Sequence, residues 1–192
     1  MARYVYRFGA GEADGNADQK ILLGGKGANL AEMVSLGIPV PPGFTITTEV
    51  CALAADESCD LRELLLKQVQ GALKRVGELT DTEFGSPSKP LLVAIRSGAP
   101  VSMPGMMDTI LNLGLNDETV KGLSEQTGDA RFANDCYRRF VAMYGEVVMG
   151  VRGETEGDES PFARILAEKK IELGITEDSE LSLIHISEPT RH

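Results

Sequence analysis

The stretch Leu92–Gly114 limits what this chain can fold into more than any other. It opens with an apolar run, Leu92–Ile95, whose length and β-branched content predict a buried strand. Arg96 ends the strand with a charge, and Ser97, Gly98 and Pro100 break the regular structure. A second loop follows at Ser102-Met103-Pro104-Gly105. Met107–Leu113, with Ile110, Leu111 and Leu113 apolar, then predicts a helix closed by Gly114. Strand, arginine, glycine-bearing loop and helix make a frame for an anion. Loop and helix-start N–H groups face phosphate oxygens, and a guanidinium forks onto them. Most glycine loops between a strand and a helix bind nothing, so the pattern alone leaves both readings open.

A second glycine cluster lies near the N-terminus. Gly24, Gly25 and Gly27 bracket Lys26 just before a helix whose apolar face is Leu30, Ala31, Met33 and Val34, with Gly37 behind it as the C′ residue. The spacing is not that of a Walker loop, because the second glycine is misplaced and no Ser or Thr follows the lysine. Glycines here let the backbone approach a phosphate and aim one ammonium at it. The competing reading is a solvated lysine in a helix-initiating turn.

The remaining elements follow from periodicity and punctuation. Tyr4, Tyr6 and Phe8 alternate as a short strand; Gly9–Asp18 is a loop; Pro39–Gly43 is a rigid turn; and Phe44–Thr48 is a strand. Asp60 and Glu63 open a helix to Leu79 with the stripe Leu61, Leu64, Leu65, Ala72, Leu73 and Val76, a core face. After Gly114, Asp117 caps a short helix ending near Gly128. Asp129 caps a longer one with Phe132, Cys136 and Phe140 on one face and a solvated Arg138-Arg139 pair. Val151–Glu159 is a linker, and Ser160-Pro161 opens a helix to Leu173 with Gly174 behind it. The chain therefore divides into an α/β lobe over 1–115 and a helical part over 116–180.

Composition excludes several function classes. The 192 residues are enough for a sizeable core, roughly 70% of the unfolded surface at this size. A net charge of −10 argues against non-specific nucleic-acid or anionic-membrane binding, but a local pocket for ATP remains compatible with it. Cys51, Cys59 and Cys136 are odd in number and lack metal-ligand spacing, which points to reduced thiols and a cytoplasmic or organelle-matrix protein. No apolar run reaches membrane-spanning length. The two histidines, His185 and His192, lie at the very end, so imidazole chemistry in the body of the chain would need a partner domain. Residues 181–192, LSLIHISEPTRH, read as a translated sequencing adapter, a non-native tail on a truncated gene product.

Leu23–Met33, Pro42–Thr48, Arg96–Ala99, Ser102–Asn116 and Tyr137–Phe140 together resemble the N-terminal region of the pyruvate, phosphate dikinase family, from about Tyr4 to Glu180. The methionine-rich block carries the most specificity. The related phosphoenolpyruvate synthases carry an SFAGQ-like segment where this chain has SMPGMMDT. The resemblance implies a partial ATP-grasp domain in an α/β (α+β) fold. It implies an enzyme that converts ATP, phosphate and pyruvate to AMP, pyrophosphate and phosphoenolpyruvate through a phosphohistidine. By the same resemblance Lys26 and Arg96 are the phosphate-contacting, catalytic cations. Ser102, Met103, Gly105, Met107, Asp108 and Thr109 belong to the loop over the nucleotide. Pro100 departs from the family's usual Ala or Arg and removes an N–H donor. The implied partners are a swivelling phosphohistidine domain and a pyruvate-binding barrel, with Mg²⁺ ligands outside these residues and a homodimeric full-length protein. The fragment alone is expected to be inactive; the alternatives are an inert fragment or a phosphoenolpyruvate synthase-type phosphotransferase.

Overall fold

The computed structural model describes residues 2–54, 61–98, 108–153 and 159–181. It is a mixed α/β structure with small antiparallel sheets, and it divides into two compact units. The first comprises 1–84 and 97–107, the second 85–96 and 108–192. This division follows contacts and differs from a boundary drawn at 115. The strand after the 97–107 connection packs on a later helix and pairs with the strand before it.

In the first unit, β1 (Val5–Gly9) lies between β2 (Glu12–Ala13) and β3 (Gly43–Ile46), antiparallel to both. The expected loop after Gly9 thus contains a strand and a 3₁₀ turn, Ala17–Gln19. Gly9 has φ +116, and a Cβ there would stand 2.5 Å from Pro42 Cα, so the hairpin corner needs glycine. Helix α1 (Lys20–Ser35) buries Leu23, Ala28, Ala31 and Val34. It ends as expected at Gly37: the Gly37 N–H donates to the Val34 carbonyl (2.9 Å) and the Ile38 N–H to that of Met33 (3.0 Å). A short α2 (Glu49–Ala54) precedes α3 (Leu61–Thr80). The expected α3 stripe is borne out by the burial of Ala72 and Val76. Asp60, the expected cap, lies outside the described residues. Gln68 on α3 accepts from the N–H groups of Tyr4 (2.8 Å) and Val5 (3.1 Å), tying helix to strand through one amide.

Asp14 closes the hairpin. It accepts from the Arg7 backbone N–H (2.9 Å) and Nε (3.0 Å) and pairs with Arg3. Burial pushes this carboxyl up, but the bonds from Arg3 and Arg7 outweigh it and hold Asp14 at about 2.

In the second unit, β4 (Val93–Arg96) pairs antiparallel with β5 (Thr109–Leu113). Two expectations fail here. Met107–Leu113 is not a helix: from Thr109 onward it is a strand, while Met107 lies outside the described residues. Nor is Leu92–Ile95 a fully buried strand, since Ile95 is 47% exposed on a two-stranded ribbon. The register runs Val93↔Leu113, Ile95↔Ile110, Arg96↔Thr109, which leaves one extra residue on β5. Asn112, with φ +59, absorbs that bulge.

Helix α4 (Thr119–Thr127) is capped by Asn116, not Asp117. The Asn116 Oδ1 accepts from the N–H groups of Glu118 and Thr119, both at 2.9 Å. Asp117 instead accepts from the Tyr137 hydroxyl (3.1 Å). Thr119, fully buried, donates to the Gly114 carbonyl (2.8 Å) and fixes α4 to the end of β5. Helix α5 (Ala130–Val147) has the expected Asp129 cap, accepting from the Phe132 N–H at 2.9 Å. Its Ala133 joins Leu115 and Val120 in a core covered by Leu92, Leu123, Cys136, Tyr137 and Phe140. Helix α6 (Pro161–Leu173) has the expected Ser160 cap and left-handed Gly174.

Arg138 is not on a solvated face. Only 13% exposed, it bridges Asp135 (2.7 Å) and Asp178 (3.3 Å), while the more open Arg139 also bonds Asp135 (2.8 Å). Lys170 pairs with Asp178 as well, and this hydrogen bond leads the groups that lower the Asp178 carboxyl's pKa. Arg131 donates to the carbonyls of Asp178 (2.7 Å) and Leu181 (2.9 Å). Leu181 is 1% exposed, so the folded unit includes the residue read from sequence as the first of the tail. The rest of that tail, with both histidines, lies outside the described residues.

Asp14 gives the fold a testable acid dependence. Its folded value is below its ordinary 3.8, so its contribution is full above that value and is lost as pH falls toward 2. Asp14→Asn should lower the thermal midpoint at pH 7 and leave it nearly unchanged at pH 2, measured by circular dichroism.

Candidate functional site

The glycine cluster is built by one backbone break. Gly24 has φ 68 and ψ 167, a conformation open essentially to glycine alone, and it interrupts α1. A second helical segment starts after Gly24, so Lys26 stands in its first turn. The expectation that the glycines precede a helix is refined: they form its broken start.

Thr45 in β3 and Thr48 just beyond it hold the break in place. The Thr48 Oγ1 donates to the Ile21 carbonyl (2.7 Å), and its N–H donates to that of Leu22 (2.9 Å). Both acceptors lie just before Gly24. Thr45 packs on Gly27, where a Cβ would stand 2.7 Å from its Cγ2 and 2.8 Å from its Oγ1. At Gly25, by contrast, a Cβ would meet nothing within 4 Å. Gly24 therefore serves backbone shape and Gly27 serves packing, while Gly25 leaves open space beside Lys26.

Lys26 is half-buried, and its Nζ donates to the carbonyl of Ser97 (3.4 Å) within the first unit. Ser97 is the residue after Arg96 in sequence. Arg96 ends β4 with an exposed side chain, and its cross-strand partner is Thr109. Asp108, also exposed, precedes Thr109. So Arg96, Asp108 and Thr109 share one end of the β4–β5 ribbon. Ser102, Met103, Gly105 and Met107 lie outside the described residues. Thr109–Leu113 is a strand, so among the described residues the helix expected over Met107–Leu113 supplies no helix-start donors.

Sequence reasoning gave Thr45 and Thr48 no role. The signal was present, since a Pro-Gly turn leading into Thr45-Ile46-Thr47-Thr48 supplies hydroxyls beside a glycine-rich neighbour, but their target is remote in sequence. Among the described residues no three His, Cys, Asp or Glu side chains converge to hold a metal ion. Cys51 and Cys136 are free thiols.

Residues 20–82 match a protein family described as "Pyruvate phosphate dikinase, AMP/ATP-binding domain", a span containing Lys26 and its supporting threonines. The chain is 51% identical over 184 residues to a pyruvate, phosphate dikinase of Rhizobium meliloti (strain 1021), covering 96% of this chain and 20% of that protein. It is 46% identical over 188 residues to the Clostridium symbiosum enzyme of that name, 98% of this chain and 20% of the relative. A chloroplastic relative from Flaveria pringlei is 51% identical over 178 residues, 93% of this chain and 18% of its own length. Residues 20–82 belong to the pyruvate phosphate dikinase AMP/ATP-binding domain family. The chain spans about a fifth of the length of the curated relatives it matches.

The three glycines separate by experiment. Gly24→Ala should destabilise by about 1–3 kcal/mol through backbone strain, and Gly27→Ala by a similar amount, about 1–3 kcal/mol, through the clash with Thr45. Gly25→Ala should leave the urea midpoint unchanged or raise it slightly, because the site is helical and unobstructed.

Proposed function

We propose that this chain is the nucleotide-binding part of a pyruvate, phosphate dikinase, and that Lys26 and Arg96 hold the triphosphate of ATP. The full-length enzyme would pass a pyrophosphoryl group from ATP to a histidine on a swivelling domain. Phosphate would take the outer phosphoryl, and a pyruvate-binding barrel would receive the inner one. Phosphoryl transfer asks the protein for positioning and for fixed positive groups around the developing charge. The observation that supports this reading is the backbone break at Gly24, which starts a second helical segment at the glycine cluster around Lys26, with open space at the Gly25 Cβ position. Arg96, Asp108 and Thr109 supply a second polar cluster, and the nucleotide loop over 102–107 would complete the site. Magnesium ligands would come from elsewhere in the full-length protein, as would the homodimer contacts. No helix among the described residues is long and apolar enough to cross a membrane; the compartment proposed is the cytoplasm.

A second reading has its own support. Ile21 (85%), Ile171 (80%), Leu36 (70%) and Met149 (69%) are exposed large apolar side chains, and a fragment with uncovered apolar surface associates instead of turning over. On this reading the chain alone is inert.

Thermal melts with increasing ATP separate the two. Binding raises the midpoint by mass action, and we expect a rise at millimolar ATP with no turnover. Lys26→Met and Arg96→Ala should each abolish most of that rise without lowering the ATP-free midpoint. Gly25→Ala should reduce the rise by filling the space beside Lys26. A midpoint indifferent to ATP in the native chain would favour the inert reading.

A further inference from the structure

Helix α6 is attached to the second unit in an unusual way. It buries none of its residues fully, and Ile165 and Ile171 are exposed. At its start the Phe162 ring lies on α5 at Gly145, where a Cβ would stand 2.5 Å from the ring's Cζ. At its far end the left-handed Gly174 ends the helix. The Glu180 side chain then accepts from the N–H groups of Thr176 (3.0 Å) and Glu177 (2.9 Å), closing a short loop around Asp178. The Asp178 carboxylate divides between two helices: Oδ1 pairs with Lys170 of α6 and Oδ2 with Arg138 of α5 (3.3 Å). Arg131 of α5 donates to the backbone carbonyls of Asp178 (2.7 Å) and Leu181 (2.9 Å), and Leu181 is buried. The loop is thus fastened to α5 by contacts that do not involve α6. Lys170, Arg138 and Asp178 are part-buried, so salt and water screen their pairs less than pairs on an open surface.

We propose that α6 opens as a separate element, and that Asp178 is the pin that fastens its C-terminal end to α5. Segments that open locally are those that bury little apolar surface, and α6 is such a segment. Parting Lys170 from Asp178 frees the end of α6 next to Gly174, while Arg131 and Arg138 keep the loop on α5. The core of Leu115, Val120 and Ala133 holds no α6 residue, so it stays intact when α6 opens.

Amide hydrogen exchange of the 192-residue chain, followed by ¹⁵N NMR, tests this residue by residue. In Asp178→Ala, amides from Leu166 to Leu173 should exchange about tenfold faster or more, the loss expected for a charge-assisted hydrogen bond. Amides in the middle of α5 and in α1 should keep their native rates. Lys170→Met should accelerate the same α6 amides, and the double variant should add little, because both changes remove one pair. Lys170→Arg, which keeps the charge, should leave α6 near its native rates. Native α6 rates in Asp178→Ala and Lys170→Met overturn the pin. Acceleration that spreads equally through α5 overturns the separate opening of α6. Accelerations that add fully in the double variant overturn the Lys170–Asp178 pair as the tie.

Discussion

One backbone conformation governs the candidate site. With φ 68 and ψ 167, Gly24 stops α1 from continuing through the glycine cluster. Any other residue would pay for that geometry with strain, and an unbroken helix would bury the N–H groups of Gly25, Lys26 and Gly27 in its own hydrogen-bond ladder. The break instead starts a second helical segment at the cluster. It persists because the carbonyls upstream of it are taken by Thr48 and because Thr45 lies against Gly27. The site is therefore a joint product of α1, of β3 and of the residues just after it.

Much of the fold was legible because its signals are local. The Gly37 and Gly174 helix ends, the Asp129 and Ser160 caps and the Ala72–Val76 face of α3 each depend on residues within a few positions of one another. The failures depend on distant partners. Ile110, Leu111 and Leu113 fit a helical spacing as well as a strand, and the bulge at Asn112 spoils the period of two that would have marked β5. Only the pairing with β4 decides the case. Arg138 looks solvated until Asp178, 40 residues later, reaches it. Asp117 and Asn116 are both plausible caps, and the choice is made by Thr119, which also ties the turn to Gly114.

The candidate site divides along the same line. The glycines around Lys26 announced a close approach, but the sequence could not say which glycine served which need. Coordinates separate them: one for backbone shape, one for contact with Thr45, one for open space. Thr48 escaped notice because its acceptors, Ile21 and Leu22, lie 26 or more residues upstream. The anion frame drawn around Leu92–Gly114 kept its strand and its arginine but lost its helix. The cross-strand position of Thr109 opposite Arg96 takes that helix's place.

Charge sharpens the case for Lys26. The chain is strongly acidic, at −10, and several of its other cations pair with carboxylates. Arg3 and Arg7 share Asp14, Arg138 and Arg139 share Asp135, Lys170 takes Asp178, and Lys67 and Lys121 take glutamates one turn away. Pairs of that kind are settled: a phosphate arriving there would have to displace a carboxylate of like charge. The hydrogen bond of Lys26 goes instead to a neutral carbonyl at long range. Its positive charge is only weakly satisfied, in a half-buried position where screening by water is reduced. In a protein whose overall field repels polyanions, a cation bonded to a neutral carbonyl and standing at a helix start is the kind of local exception that nucleotide binding requires.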